Sequence, residues 1–245
     1  MQHDKQNDDE NDNNKISLKT VLVGETSVGK TSIIKQFTKN IFDPEVSSSI
    51  GSQYSSKIIN IKKFGKNIKF DLWDTAGQEI YRSLAKIFYQ DAKIIIFVYD
   101  ITNKKSLESL KNYWYKQIST NSDKNVIFAL VGNKSDLYNF QQVNDDEAKE
   151  FAESIGAILQ FTSAKSNIGI DKLFQIIGRK YFDPEFDYKN EEESEKELYK
   201  AKKENKQKIK EKKIEEEDNE ENNTSITSVK LYKETFNPKE KTKCC

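Results

Sequence analysis

The sequence predicts an α/β fold: a six-stranded, mostly parallel sheet with helices on both faces. Three observations carry this. Strand-length apolar runs alternate with stretches of helical periodicity between Lys15 and Phe182, the order that builds parallel sheets through crossover helices. The run from Ile94 to Tyr99, IIIFVY, has no charged or small polar residue, as expected of a strand covered on both faces. One turn signal, Phe64-Gly65-Lys66-Asn67, joins two alternating runs directly and so predicts a single hairpin.

Element by element, the first strand is expected at 18–23 (LKTVLV), ending at Gly24, and the first helix at 30–38. Strands at 56–61 and 68–73 alternate apolar with polar residues on either side of the hairpin turn. The strand that contains IIIFVY occupies 93–99, followed by a helix at 106–119. A fifth strand at 126–131 precedes a helix at 145–154. The last pair is a strand at 157–161 and a helix at 168–182.

The chain ends differ in composition. Residues 1–15 are Asp- and Asn-rich with no periodicity and read as a disordered extension. Residues 183–245 carry 15 lysines and 18 acidic residues and read as a charged, solvated tail. A domain at 16–182 is left with nearly all the buriable residues. Lys plus Arg total 40 and Asp plus Glu total 40, so the net charge is zero, which argues against a nucleic-acid partner. The longest apolar run falls far short of the ~20 residues of a membrane span, and the first residues lack the apolar stretch of a signal peptide. The single histidine, His3, and two terminal cysteines, Cys244 and Cys245, exclude a zinc cluster and a disulfide framework. An intracellular soluble protein is expected, its chemistry resting on backbone, carboxylates, lysines and hydroxyls.

In parallel sheets ligands bind beyond the carboxyl ends of the strands, and the polar residues there form four motifs. After the first strand comes Gly24-Glu25-Thr26-Ser27-Val28-Gly29-Lys30-Thr31. Its glycines let successive N–H groups converge on an anion at a helix start. Lys30 is suited to β- and γ-phosphate oxygens and Thr31 to Mg²⁺. Alone this pattern also fits an ordinary glycine-bearing turn; the strand-turn-helix context favours phosphate. The third strand ends in Asp74-Thr75-Ala76-Gly77-Gln78. Asp74 would hold Mg²⁺ through water, Gly77 would offer an N–H to a γ-phosphate, and Gln78 would orient an attacking water. The fifth strand runs into Asn133-Lys134-Ser135-Asp136. Asp136 can accept two parallel N–H bonds, the complement of guanine N1–H and N2–H₂, which adenine lacks; such recognition discriminates by ~10⁴. Lys134 can lay its stem along the purine face. After the sixth strand, Thr162-Ser163-Ala164-Lys165 can supply an N–H to guanine O6.

These motifs, in this order, resemble the Ras superfamily of small GTPases and most closely the Rab family. The resemblance covers Lys15 to about Phe182, and Trp73 before DTAGQE, the Ile50-Gly51 pair and the Cys-Cys terminus favour Rab. It implies a P-loop NTPase fold of six strands and five helices with strand two antiparallel. It also implies that Phe42 packs edge-on to guanine and that Ser49, in place of a threonine, reaches Mg²⁺ and the γ-phosphate. Thr26 stands where glycine or serine is common. The segments Ile50-Gly51-Ser52-Gln53-Tyr54 and Phe88-Tyr89-Gln90-Asp91-Ala92 depart from the family pattern on effector-facing surface.

The implied activity is that of a GTP/GDP switch with slow hydrolysis, in which residues 42–54 and 76–90 are ordered by the γ-phosphate and regulate vesicle traffic through effectors. Its implied partners are an exchange factor, a prenylation escort, a GDP-dissociation inhibitor and a GTPase-activating protein. The only arginines, Arg82 and Arg179, lie outside the phosphate and first switch loops, so the activating protein is expected to supply one. Lipidation of Cys244 and Cys245 would anchor the chain to the cytoplasmic face of an intracellular membrane, beside a soluble cytosolic pool, since two lipids hold where one does not. Two other readings are an ATP-using P-loop enzyme, disfavoured by Asp136, and a GTP-binding scaffold with little hydrolysis.

Overall fold

The computed structural model describes residues 16–44, 53–75, 89–123 and 125–189. The chain divides into a unit Met1–Phe186 and a unit Asp187–Cys245. In the second unit the described residues form an Asx contact, with the Lys189 N–H donating to Asp187 Oδ1 at 3.0 Å. In the first, the strands are β1 (Ile16–Val23), β2 (Gln53–Ile61), β3 (Lys66–Asp74), β4 (Ile94–Asp100), β5 (Ile127–Asn133) and β6 (Ile158–Phe161). The helices are α1 (Lys30–Lys39), α2 (Lys104–Ser109), α3 (Tyr115–Ser119), α4 (Asp145–Ser154) and α5 (Ile170–Phe182), with a 3₁₀ segment at Ser135–Phe140. The six strands form one sheet in the order β2-β3-β1-β4-β5-β6. Only the β2–β3 pair is antiparallel, as the sequence and its resemblance predict.

The hairpin is present, but its turn lies earlier than Phe64–Asn67. Ile61 pairs with Lys66, and both Phe64 N–H and Gly65 N–H donate to Ile61 O at 2.9 Å. Gly65, at φ 61°, closes the turn rather than opening it, so Lys66 and Asn67 already belong to β3. The stretch 106–119 is likewise not one regular helix: a π-helical turn, Leu110–Trp114, separates α2 from α3. The wider turn still keeps Leu107, Leu110, Trp114 and Ile118 buried on one side.

Alternation along the strands sends side chains to two helical layers. Ile95, Phe97 and Tyr99 of β4 join Val21, Val23, Leu107, Leu110, Trp114 and Phe151 in one core. On the opposite face Phe37 of α1 stacks on Phe174 of α5 with centroids 3.6 Å apart, and both meet Phe70 edge-on at 6.1 and 5.1 Å. Beyond α5 the chain turns back. Phe186 is buried, its ring lies 4.1 Å from the Arg179 guanidinium, and its carbonyl accepts from Lys180 Nζ at 3.1 Å. No helix among the described residues is long and apolar enough to cross a membrane.

Candidate functional site

Between β1 and α1 the backbone folds tightly around residues 24–29. Gly24 has φ 149°, and a Cβ there would lie 2.2 Å from the carbonyl oxygen of Val98 on β4. Gly29 has φ 99° and is equally crowded, by Asn133. Ser27 also takes a positive φ, 64°. Glycine at the loop's two ends is therefore required by space as well as by backbone conformation. The Lys30 ammonium curls back over the loop and donates to Gly24 O at 2.9 Å and Glu25 O at 2.8 Å. Burial lowers the Lys30 pKa to about 8, against the raising influence of the Asp74 and Glu25 carboxylates. The Glu25 carboxylate in turn accepts a short hydrogen bond from Ser109 Oγ at the end of α2.

At the end of β3, Asp74 is buried and its Oδ2 accepts from Thr31 Oγ1 at 2.6 Å. The neighbouring Thr75 Oγ1 donates to Leu22 O at 2.7 Å, which ties the β3 end to β1. A hydroxyl and a carboxylate side by side fit a hard cation such as Mg²⁺, which keeps several waters and takes its remaining ligands from phosphate oxygens. Among the described residues no cluster of three His, Cys, Asp or Glu could hold a metal by protein groups alone. Ser49, Gly77 and Gln78 lie outside the described residues, as do Cys244 and Cys245.

Asn133, at the end of β5 and 2% exposed, connects three loops. Its Nδ2 donates to Val28 O at 2.9 Å, and its Oδ1 accepts from Thr162 Oγ1 at 3.1 Å and Ala164 N–H at 3.4 Å. The loop after β1, the loop after β5 and the loop after β6 are thus held in one arrangement. Asp136 Oδ1 accepts from Ser163 Oγ at 2.6 Å, and Ser163 Oγ itself accepts from the Ser166 N–H at 3.0 Å. Ala164 is buried, Lys165 is exposed, and Phe42, after α1, is 37% exposed. Lys134 takes φ 66° and its ammonium pairs with Asp100 Oδ2 at 2.6 Å.

The structure therefore brings Lys30, Thr31 and Asp74 together at one end of the sheet's carboxyl edge. It brings Asn133, Lys134, Asp136, Ser163 and Ala164 together at the other, with residues 24–29 between them. Sequence reasoning missed Asp100 and Ser109. Asp100 carried a legible signal: it is a charged residue closing an otherwise apolar strand, at the one central strand end left without a role. Ser109, a small polar residue within a helix, carried none. The set offers backbone N–H groups and a lysine for phosphate, oxygen ligands for a divalent ion, and a carboxylate beside N–H donors for a purine edge.

Comparisons with known proteins agree on one group. A family model described as "Ras family" matches residues 19–183. The chain is 43% identical over 163 residues to "Ras-related protein Rab-31" of Mus musculus, covering 66% of this chain and 82% of that protein. It is 40% identical over 163 residues to "Ras-related protein Rab-22A" of Canis lupus familiaris, with the same 66% and 82% coverage. It is 37% identical over 160 residues to "Ras-related protein RGP2" of Oryza sativa subsp. japonica, covering 65% of this chain and 72% of that protein.

Proposed function

Because the chain belongs to the Ras family, as a Rab small GTPase and hence a GTP hydrolase, we propose that it is a membrane-anchored GTP/GDP switch in vesicle traffic. Residues 16–182 form the nucleotide-binding domain in this reading, residues 1–15 an extension, and residues 183–245 a tail that carries the lipid. The observation that supports it most is the Asn133 strut. One side chain holds the loop beside Lys30 and Thr31 in register with the loops bearing Asp136 and Ala164. A single ligand with a polyphosphate at one end and a purine at the other spans such a pair of sites.

In this reading the N–H groups of residues 24–29 and the Lys30 ammonium bind the β- and γ-phosphates. Lys30 leaves the carbonyls of Gly24 and Glu25 to do so, or keeps one of them as it turns. Thr31, Asp74 and Ser49 would hold Mg²⁺, which when bound neutralises charge on the transferred phosphoryl group. Gln78 orients the water, and Gly77 and Ser49 report the γ-phosphate to the two switch loops. Asp136 reads guanine N1–H and N2–H₂, with its carboxylate oriented by Ser163. The Ala164 N–H, flanked by Ser163 and Lys165, would turn from its long contact with Asn133 Oδ1 at 3.4 Å to guanine O6. Phe42 and the Lys134 stem cover the ring.

Hydrolysis is slow in this scheme because the phosphate loop contains no arginine, and a GTPase-activating protein supplies one, for ~10³–10⁵ in rate. An exchange factor reloads GTP and effectors bind the ordered loops. A prenylation escort and a GDP-dissociation inhibitor handle the lipid on Cys244 and Cys245, which sets the balance between intracellular membrane and cytosol.

The decisive experiment is equilibrium competition of GDP, GTP, ADP and ATP for the purified chain, followed by single-turnover hydrolysis. Preference for guanine nucleotides with slow turnover, accelerated by an activating protein, is expected. Equal affinity for ADP would overturn the guanine assignment, and fast unaided hydrolysis would overturn the need for an external arginine. Membrane fractionation of Cys244→Ser/Cys245→Ser tests the anchor, and undiminished sedimentation with membranes would refute it.

A further inference from the structure

Asp100 closes β4 and is placed by its surroundings with little freedom. Its Oδ1 accepts from the Thr102 N–H at 2.8 Å and from Thr102 Oγ1 at 2.7 Å. Its Oδ2 faces the Lys134 ammonium at 2.6 Å. Its side chain is 9% exposed, that of Lys134 33%. The backbone beneath is also shared: Asp100 is the register partner of Asn133 across β4 and β5, and the Ile101 N–H donates to Asn133 O at 3.1 Å. Lys134 is thus held at both ends, its backbone by the left-handed turn after Asn133 and its ammonium by Asp100.

We infer that Asp100 is a positioning residue for nucleotide retention, acting through Lys134; this rests on the reading of Lys134 as the side chain whose stem covers the purine. A lysine stem tethered at both ends is a fixed apolar edge before the nucleotide arrives. An untethered one must lose its rotamer freedom on binding, a cost paid out of affinity and worth about 3- to 10-fold per immobilised side chain. The pairing also decides what Lys134 offers the ligand. An ammonium committed to a buried carboxylate presents its methylenes, not its charge. The effect is therefore on the base, and GDP and GTP benefit alike.

The test is the release rate of fluorescent GDP and GTP analogues from the full chain with Mg²⁺. Asp100→Asn keeps an oxygen acceptor for Thr102 and removes the charge facing Lys134. It is expected to speed release about 3- to 10-fold, equally for both nucleotides. Lys134→Met, which keeps a stem but no charge, supplies the second arm: in that background Asp100→Asn is expected to add nothing. The same acceleration in both backgrounds would show that Asp100 acts on the fold rather than through Lys134, and would overturn the inference. So would unchanged release in Asp100→Asn while Lys134→Ala accelerates it, an outcome that leaves the purine-stem reading intact. Unchanged release in Lys134→Ala would remove that reading and the inference with it. Should Asp100→Asn fail to fold, Thr102→Val removes one donor that orients the carboxylate and carries the same comparison, with a smaller acceleration expected.

Discussion

A β-carbon built on Gly29 would lie 2.2 Å from the Nδ2 of Asn133, the same atom that donates to the carbonyl of Val28 at 2.9 Å. The loop after β1 and the end of β5 are therefore packed against each other without room for a methyl group. Gly29→Ala must strain a backbone at φ 99° and displace the amide that joins the loops. GDP affinity is expected to fall about 10- to 100-fold from strain and a lost hydrogen bond. Adding Asn133→Ala relieves the collision but removes the strut, so the double variant should bind no better. Calorimetry on the three proteins checks this.

The Thr31 hydroxyl donates to the Asp74 carboxylate at 2.6 Å, which sets side by side the two oxygens that would hold Mg²⁺. Thr31→Val is nearly isosteric and removes the hydroxyl. GDP release in Mg²⁺ should accelerate about 10- to 100-fold, the worth of one contact to a charged group. Chelating the metal with EDTA should speed release from the wild type and add little in the variant. An equal response of both proteins to EDTA would place the metal elsewhere.

Burial holds Lys30 at about 8, below its ordinary 10.5, and this has two opposed consequences with pH. The unfolded chain binds the Lys30 proton up to its ordinary pKa while the folded, ligand-free chain releases it near 8. Stability of the ligand-free protein, taken relative to Lys30→Met, should therefore rise between pH 8 and 10.5. Polyphosphate binding requires the charged form, so GDP affinity should fall as pH rises above 8. Binding near pH 9 should take up a proton, seen as a buffer-dependent heat in calorimetry. Uptake unchanged in Lys30→Met would assign the proton to another group.

Phe37 sits where α1, α5 and the sheet meet: it stacks on Phe174, touches Phe70 edge-on, and lies under the Lys57 ammonium at 4.4 Å from the ring. It is 2% exposed. Phe37→Ala should destabilise the domain by about 3–5 kcal/mol, measured by urea unfolding at fixed, saturating GDP. A loss under 1 kcal/mol would mean that the neighbouring rings collapse into the space.

Asp136 is oriented by Ser163 Oγ at 2.6 Å. Asp136→Ala should leave ADP affinity little changed while GDP loses most of a ~10⁴ advantage, because only guanine carries the paired donors that the carboxylate answers. Competition titration of the two diphosphates reads this directly. Retention of the full preference would assign base selection to the loop around Ala164.

The order of strands and helices, the single antiparallel pair and the identity of the family were all legible in the chain itself. Periodicity is a local property: IIIFVY must be buried on both sides wherever it lies, and Gly24 to Thr31 must turn between a strand and a helix. Local signals were less accurate where geometry is cooperative. β2 begins at Gln53 rather than 56, because pairing with β3 continues past the apolar run, and the π-helical turn at Leu110–Trp114 has no marker residue. What the tertiary structure alone decided is which loops meet. Asp100 reaches Lys134, Ser109 reaches Glu25, and Asn133 spans three loops only because the sheet order sets β1, β4 and β5 side by side. The lowered pKa of Lys30 has the same origin. Desolvation depends on what the rest of the chain packs around a side chain, and no run of neighbouring residues encodes that.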